Sequence, residues 1–385
     1  MSLQEFITEN ASRYTELRHD IHRHPEIGLE EVRTSDIVAK LLESWGYEVT
    51  RGMAKTGVVG TLRAGNSKKV LGLRADMDAL PMQETSGKEW SSTLPEKFHG
   101  CGHDGHTTTL LFAAEWLAKN RNFNGTLNLI FQPGEELLYG GKLMIDDGLF
   151  KQFPCDAIFA LHNMPGLKKN AFYFRKGAMM ASSDTVEIEV KGVGGHGAIP
   201  EKTVDSVVVA CHIVTALQTI VSRNVTPFEP VVVTVGSIQS GHAPNIINSS
   251  ALLKLSVRTL DPQTRKLVLQ RIGEIARAQA ESFGATADIQ HLHSSPVLVN
   301  GDQMTDFAIS VARELFDESM VFPNADPMMG SEDFAFMLEE NPNGSYLLVG
   351  AGEGCMVHNP GYDFNDELMK PAVTYWATLV ERYLK

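Results

Sequence analysis

The run Phe98-His99-Gly100-Cys101-Gly102-His103-Asp104-Gly105-His106 puts a thiol, three imidazoles and a carboxylate into one glycine-loosened stretch. Gln132-Pro133-Gly134-Glu135-Glu136 then supplies two adjacent carboxylates. One of the pair can bind a metal while the other handles protons. Metal-assisted hydrolysis needs that division of labour, because a divalent cation acidifies water and a nearby base completes its activation. The histidines taken alone also suit a loop whose side chains cap helices, so the elements around them decide the reading.

Gly125 to Gln132 is a short, β-rich apolar run, the pattern of a buried strand. Glu135 and Glu136 therefore emerge just past its C-terminal end. Val70 to Ala75 likewise delivers Asp76 and Asp78, and Ala157 to Leu161 delivers His162. In open α/β sheets ligands bind at that edge. A solvated-surface explanation would need the same coincidence on three strands.

The chain has 385 residues, 43% of them hydrophobic, enough for a large core and more than one domain. A net charge of -13 without a Lys/Arg block argues against nucleic acid or an anionic membrane surface as partner. Met1 to Ile21 lacks the apolar core of a secretory signal, and no uninterrupted apolar stretch reaches the length of a bilayer span. Cys101, Cys155, Cys211 and Cys355 have no disulfide-framework spacing, which points to a reducing, cytoplasmic setting.

Leu3 to His24 and Glu30 to Trp45 read as helices stopped by Pro25 and Gly46. Strands are predicted at Val58 to Leu62 and Val70 to Leu73, and a helix at Thr107 to Leu117. Alternating strands and helices continue to about Phe174, which argues for a mostly parallel sheet covered by helices. Thr185 to Lys191 instead alternates apolar and charged residues, as a strand wet on one face does. A helix (Val204 to Val221), strands (Val231 to Val235, Leu252 to Leu260), a second helix (Pro262 to Phe283) and a strand (Thr286 to His291) complete a β-α-β-β-α-β order. The expected organisation is a catalytic α/β domain at 1-182 and 295-385, interrupted by an α+β domain at 183-294. The last segment carries the strand Tyr346 to Val349 and the helix Asp366 to Leu384.

With these elements in place the chain resembles the M20 metallopeptidase family. Within it the resemblance is to the amidohydrolase branch of hippurate hydrolases, N-acetyl-diaminopimelate deacetylases and indoleacetyl-amino-acid hydrolases. It rests on His19 to Glu26, Arg74 to Pro81, Cys101 to His106, Gln132 to Glu136, Gly194 to Pro200 and Val357 to Pro360, spread over nearly the whole chain. It implies a dinuclear metallohydrolase domain with an inserted ferredoxin-like lid. Two divalent ions per subunit (Mn, Zn, Co or Ni) would be held by Cys101, His103, Glu136, His162 and His358, with Glu135 as general base. It also implies a homodimer formed through the inserted domain.

Neutral imidazoles suit these metals, and a thiolate at Cys101 tilts the preference toward the softer ones. Cys355, three residues before His358, reads as a buried hydrophobe rather than a rival ligand. His99 and His106 are expected to make hydrogen bonds beside the metal. Related peptidases carry a metal-binding histidine where Asp76 stands, so Asp78 is expected to orient a metal-bound imidazole. Asp76 is left as ligand, proton-network member or structural residue. The resemblance assigns His196 to oxyanion stabilisation from the partner subunit, and Asn245 and Arg258 to the substrate carboxylate. Ser331 reads as a helix cap within Gly330 to Phe334. The implied activity is hydrolysis of the amide bond of N-acyl amino acids. A metallo-dipeptidase or aminopeptidase is the alternative enzyme, and a noncatalytic metal- or small-molecule-binding protein the alternative class. An intact Glu135 argues against the last, since binding alone requires no base.

Overall fold

The computed structural model describes residues 1–385, which form two compact units. The first contains Met1–Gly177, Val299–Asp326 and Asp333–Lys385, and the second Ala178–Leu298 and Pro327–Glu332. These divisions differ from the expected limits at 183 and 294. The segment 178-182 joins the second unit through bonds from the Ala181 amide to the Met328 and Gly330 carbonyls, each within 3.0 Å, and from the Ser182 amide to the Thr259 carbonyl at 2.8 Å. The short return segment 327-332 is gathered by the same bonds.

An eight-stranded sheet organises the first unit. Its strands are β1 (Glu48–Met53), β2 (Gly57–Ala64), β3 (Val70–Asp76), β4 (Gly125–Gln132), β5 (Ala157–Pro165), β6 (Phe172–Tyr173), β7 (Val321–Phe322) and β8 (Gly344–Gly352). They lie in the order β1-β2-β4-β3-β5-β8-β6-β7. The middle is parallel: β3 pairs in parallel with both β4 and β5, and β5 with β8. β1, β2 and β6 add antiparallel pairs toward the edges. Central strands buried on both faces read as continuous apolar runs, which is why β4 and β5 were legible without alternation.

Three helices matter for the site: α1 (Leu3–Arg23), α2 (Val32–Ser44) and α3 (His103–Lys119). Ser2 and Glu5 form a capping box that starts α1. α3 begins four residues earlier than the apolar pattern predicts. Gly102, at φ 96°, makes the left-handed turn that launches the helix. Gly105 lies inside the helix, where Phe364 packs so closely that an added Cβ would lie 2.4 Å from its ring. His103, Asp104 and His106 consequently occupy the first turn of α3, rather than a loop before it.

The second unit is a four-stranded antiparallel sheet, in the order Val231–Gln239, Ser250–Thr259, Ser183–Lys191, Thr286–Ser295, packed on helices Ser206–Thr219 and Pro262–Ser282. Ser206–Asn224 is long and apolar enough by composition alone to cross a membrane, but polar residues interrupt it and Val209, Ile213, Leu217 and Ile220 are buried in the core of this unit. Ser331 is not a helix cap. The helix Phe334–Glu340 starts from Asp333 without a side-chain cap, and the Ser331 hydroxyl accepts from the Arg258 guanidinium instead.

Candidate metal centre

β3, β4 and β5 lie side by side and parallel, so their C-terminal ends present chemistry on one edge of the sheet. Asp76 ends β3 in register with Gln132, the last residue of β4. Gly134, left-handed at φ 64°, then turns the chain so that Glu135 and Glu136 enter a short 3-10 turn. His162 lies within β5 and His103 opens α3. His358 takes the left-handed region at φ 63°, uncommon for a non-glycine residue, and its amide bonds the Gly100 carbonyl at 2.7 Å. That bond ties the His358 loop to the Cys101 loop.

These elements bring Cys101, His103, Glu135, Glu136, His162 and His358 together. Cys101 Sγ lies 3.3 Å from His162 Nε2. His358 Nε2 lies 3.4 Å from Glu136 Oε1, and His103 Nε2 stands 3.9 Å from both Glu136 Oε1 and Glu135 Oε2. Donor atoms of Cys101, His103 and His162 all fall within 4.8 Å of one another, as do those of Cys101, Glu136 and His358. The two triplets share Cys101.

The hydrogen bonds orient the donors inward. His162 Nδ1 bonds the Asn163 carbonyl at 2.5 Å, an acceptor only, so its Nε2 carries the lone pair facing Cys101. His103 Nδ1 bonds Asp78 Oδ1 at 3.2 Å, leaving Nε2 free. Asp78 Oδ2 accepts the Glu136 amide at 2.9 Å, so one carboxylate places two donors. His103 Nε2 and Glu136 Oε1 are buried without a hydrogen-bond partner. Unsatisfied buried polar atoms are costly, and here they belong to a sulfur, nitrogen and oxygen donor set that fits a divalent cation.

The charges agree with that fit. Burial raises the Cys101 thiol well above its usual range, and Glu136, Glu135 and Asp76 push it further. Burial opposes a charged His103, yet Asp76, Asp78 and Glu136 outweigh it and raise the imidazole to about 10. Burial and the neighbouring His106 hold His162 well below its ordinary value, keeping it a neutral donor. Against burial, His358 and His103 hold Glu136 below the usual carboxylate range. Cys101 and His103 would have to lose their protons to hold a metal, so metal affinity would rise with pH.

Asp76 is engaged structurally. Its Oδ1 bonds His106 Nδ1 at 2.6 Å and its Oδ2 accepts from Arg74 at 2.7 Å. Burial alone would raise it, but His103, His106 and Arg74 hold it well below the usual range. His106 continues through Asn163, 2.7 Å from its Nε2, to the Tyr362 hydroxyl, 2.7 Å from the Asn163 amide nitrogen. His99 departs from expectation. Both ring nitrogens are buried without a partner, and burial lowers the imidazole to about 4, so it packs as a neutral ring. Cys355 is exposed rather than buried and lies outside every cluster of potential ligands.

Sequence reasoning did not single out Asn163, Tyr362 or Glu31, and it took Asp333 only as part of the Gly330 to Phe334 segment. Asp333 accepts from Arg74, from Gln132 at 2.6 Å and from the Gly141 amide at 2.7 Å, contacts that span up to 259 positions in the chain. His196, Asn245 and Arg258 belong to the second unit. His196 pairs in a two-residue ladder with Ile246 and is exposed, and the Asn245 carbonyl accepts the Gly197 amide at 2.8 Å. Arg258 is half-buried beside Ser331.

A parallel-centred α/β sheet with sulfur, nitrogen and carboxylate donors on its C-terminal edge is the architecture of a metallohydrolase. Residues 72–382 match the model of Peptidase family M20/M25/M40. The chain is 47% identical to hippurate hydrolase of Campylobacter jejuni over 385 residues, 100% of each chain. It is 32% identical to N-acetylcysteine deacetylase of Bacillus subtilis over 370 residues, 96% of each. The crystal structure of the YXEP protein of Bacillus subtilis, a dinuclear metal-binding peptidase of the M20 family, superimposes with a TM-score of 0.86 at 29% identity, covering 98% of this chain and 99% of that one. This protein belongs to peptidase family M20/M25/M40, and it is a divalent-metal hydrolase of amide bonds.

Proposed function

We propose that the chain cleaves the amide bond of N-acyl amino acids, releasing a carboxylic acid and a free amino acid. The observation that carries this reading is the Glu135 carboxylate held 3.9 Å from the unpartnered His103 Nε2, next to donors that fit a metal. Full-length similarity to hippurate hydrolase supports the substrate class. Cys101, His103, Glu136, His162 and His358 are the proposed ligands of two ions, for which Mn, Zn, Co and Ni are the candidates. Bound metal supplies an acidified water and a polarised carbonyl.

Glu135 takes the water proton as the carbon–oxygen bond forms, and returns it to the leaving nitrogen as the carbon–nitrogen bond breaks. Asp78 keeps His103 Nε2 and the Glu136 carboxylate aimed at the metal throughout. His196 is proposed to steady the oxyanion from a second copy of the chain, and Asn245 and Arg258 to receive the substrate carboxylate. A homodimer through the second unit is supported by the long edge strand Val231–Gln239, with Val232 and Ile238 exposed, and by the exposed Val207 and Val208 of the adjoining helix. The four cysteines are free, which suits the reducing cytoplasm proposed as its setting.

A turnover panel of acetyl, benzoyl and indoleacetyl amino acids and dipeptides, on protein reconstituted with each metal, tests the reading. Turnover confined to dipeptides would replace it with a dipeptidase. Mixing Glu135→Gln and His196→Ala proteins under subunit exchange tests the dimer, because hybrids with one intact site regain activity only if His196 acts across subunits.

A further inference from the structure

Glu31 is fully buried and has no role in the chemistry above. It stands at the N-cap of α2, but its side chain does not cap that helix. Glu26 does so instead, accepting the Arg33 and Thr34 amides at 2.8 Å each. The Glu31 carboxylate is thereby free to reach elsewhere. Its Oε1 accepts the Gly134 amide at 2.8 Å and its Oε2 accepts the Thr56 hydroxyl at 2.5 Å.

Gly134 immediately precedes Glu135, and its surroundings allow it little latitude. The Gly140 amide bonds its carbonyl at 3.1 Å. On another side Gly28 is so close that an added Cβ would stand 2.9 Å from Gly134 Cα. The turn is also held at its third residue, where the Glu136 amide bonds Asp78. Glu135 is thus carried between two backbone amides, each fixed by a buried carboxylate.

We propose that Glu31 is a positioning residue for Glu135, acting through its hydrogen bond to the Gly134 amide. This rests on the reading of Glu135 as the general base. The bond contacts neither substrate nor metal, and its effect is to hold the turn that aims the base. Misplacing a reacting group by about 1 Å costs on the order of a hundredfold in rate. Burial, followed by the Asp78 charge, raises Glu31 to about 7, so a neutral amide suits this environment. A glutamine retains the acceptor that Gly134 requires and presents its NH2 to the Thr56 oxygen, whereas alanine removes the acceptor and leaves the Gly134 amide buried and unpaired.

The test uses the full chain loaded with metal, with benzoylglycine as the probe substrate and metal content measured for each variant. Glu31→Ala should lower kcat by roughly ten- to a hundredfold with KM changed less than about threefold, since positioning rather than substrate binding is lost. Amide hydrogen exchange over residues 133-138 should quicken in the same protein, and Glu31→Gln should restore both readouts to near wild type. Gly28→Ala, which presses on Gly134 from the other side, should lower kcat in the same manner and serves if Glu31→Ala does not fold. A folded, metal-replete Glu31→Ala with wild-type kcat or wild-type exchange would overturn the proposal, as would Glu31→Gln behaving like alanine. Glu135→Gln is run in parallel. If that variant keeps its turnover, the general-base reading fails separately, while the exchange data still report whether Glu31 holds the turn.

Discussion

Asp78→Asn should weaken metal binding by about ten- to a hundredfold without unfolding the protein. The magnitude follows from two bonds made by one buried carboxylate: Oδ1 to His103 Nδ1 at 3.2 Å and Oδ2 to the Glu136 amide at 2.9 Å. Both partners donate, so both oxygens must accept. Asparagine has only one acceptor. If its oxygen faces Glu136, its NH2 faces His103 Nδ1 and favours the tautomer with the proton on Nε2, the atom needed for metal. If its oxygen faces His103, the NH2 opposes the Glu136 amide and displaces that side chain. Either arrangement loses one hydrogen bond to a charged group, worth roughly 1.5–3 kcal/mol. Removal of the negative charge acts in the same direction. Competition with a graded chelator, read as metal bound per chain, measures the affinity. Turnover should largely recover at saturating metal. Unchanged affinity would refute the claim that Asp78 orients two metal-facing donors.

Glu136→Ala should lower the metal bound per chain even at saturating metal, because it removes a donor rather than its support; full occupancy by elemental analysis would assign the two glutamates the other way round. Cys101 should react with a thiol reagent in metal-stripped protein and be protected once metal is bound, because coordination engages its lone pairs, and equal labelling in both states would count against ligation. The buried His22 gives a pH dependence of stability. Against burial, Asp104 and Glu84 raise it to about 9, so its contribution is fully present below its ordinary value of about 6.5 and is lost as pH rises through the folded value. The difference in unfolding free energy between wild type and His22→Asn should approach about 3 kcal/mol below about pH 6.5 as an upper bound, shrink as pH rises from there and be nearly gone by about pH 9, and a pH-independent difference would disprove the charge assignment.

The strand ends were legible because β3, β4 and β5 are short apolar runs that stop at charged or metal-binding residues, and a parallel sheet places such stops on one edge. The period-two alternation of Ser183–Lys191 marked the second unit for an equally local reason. The start of α3 was placed four residues late because its apolar pattern begins only at Thr107, and only Phe364, distant in sequence, shows why glycine stands at position 105. The same limit hid the partners of Asp76. Arg74 is two residues away, but His106, Gln132 and Asp333 meet around this pair only after the sheet assembles. Glu31 offered no signal at all, since a glutamate near a helix start ordinarily serves that helix, and here Glu26 has taken the task. His99 was expected to hydrogen-bond because histidines near metals usually do, and the fold instead buries it without a partner.

The most direct test of the account is Glu135→Gln, measured for metal content and for single-turnover cleavage of an N-acyl amino acid. Glutamine preserves the shape of the side chain and removes its basicity. Metal content should match wild type, while the rate falls by a factor on the order of a hundred or more, the scale of a lost general base. A metal-replete variant that cleaves substrate at close to the wild-type rate would remove Glu135 from the chemistry and contradict the mechanism proposed for this site.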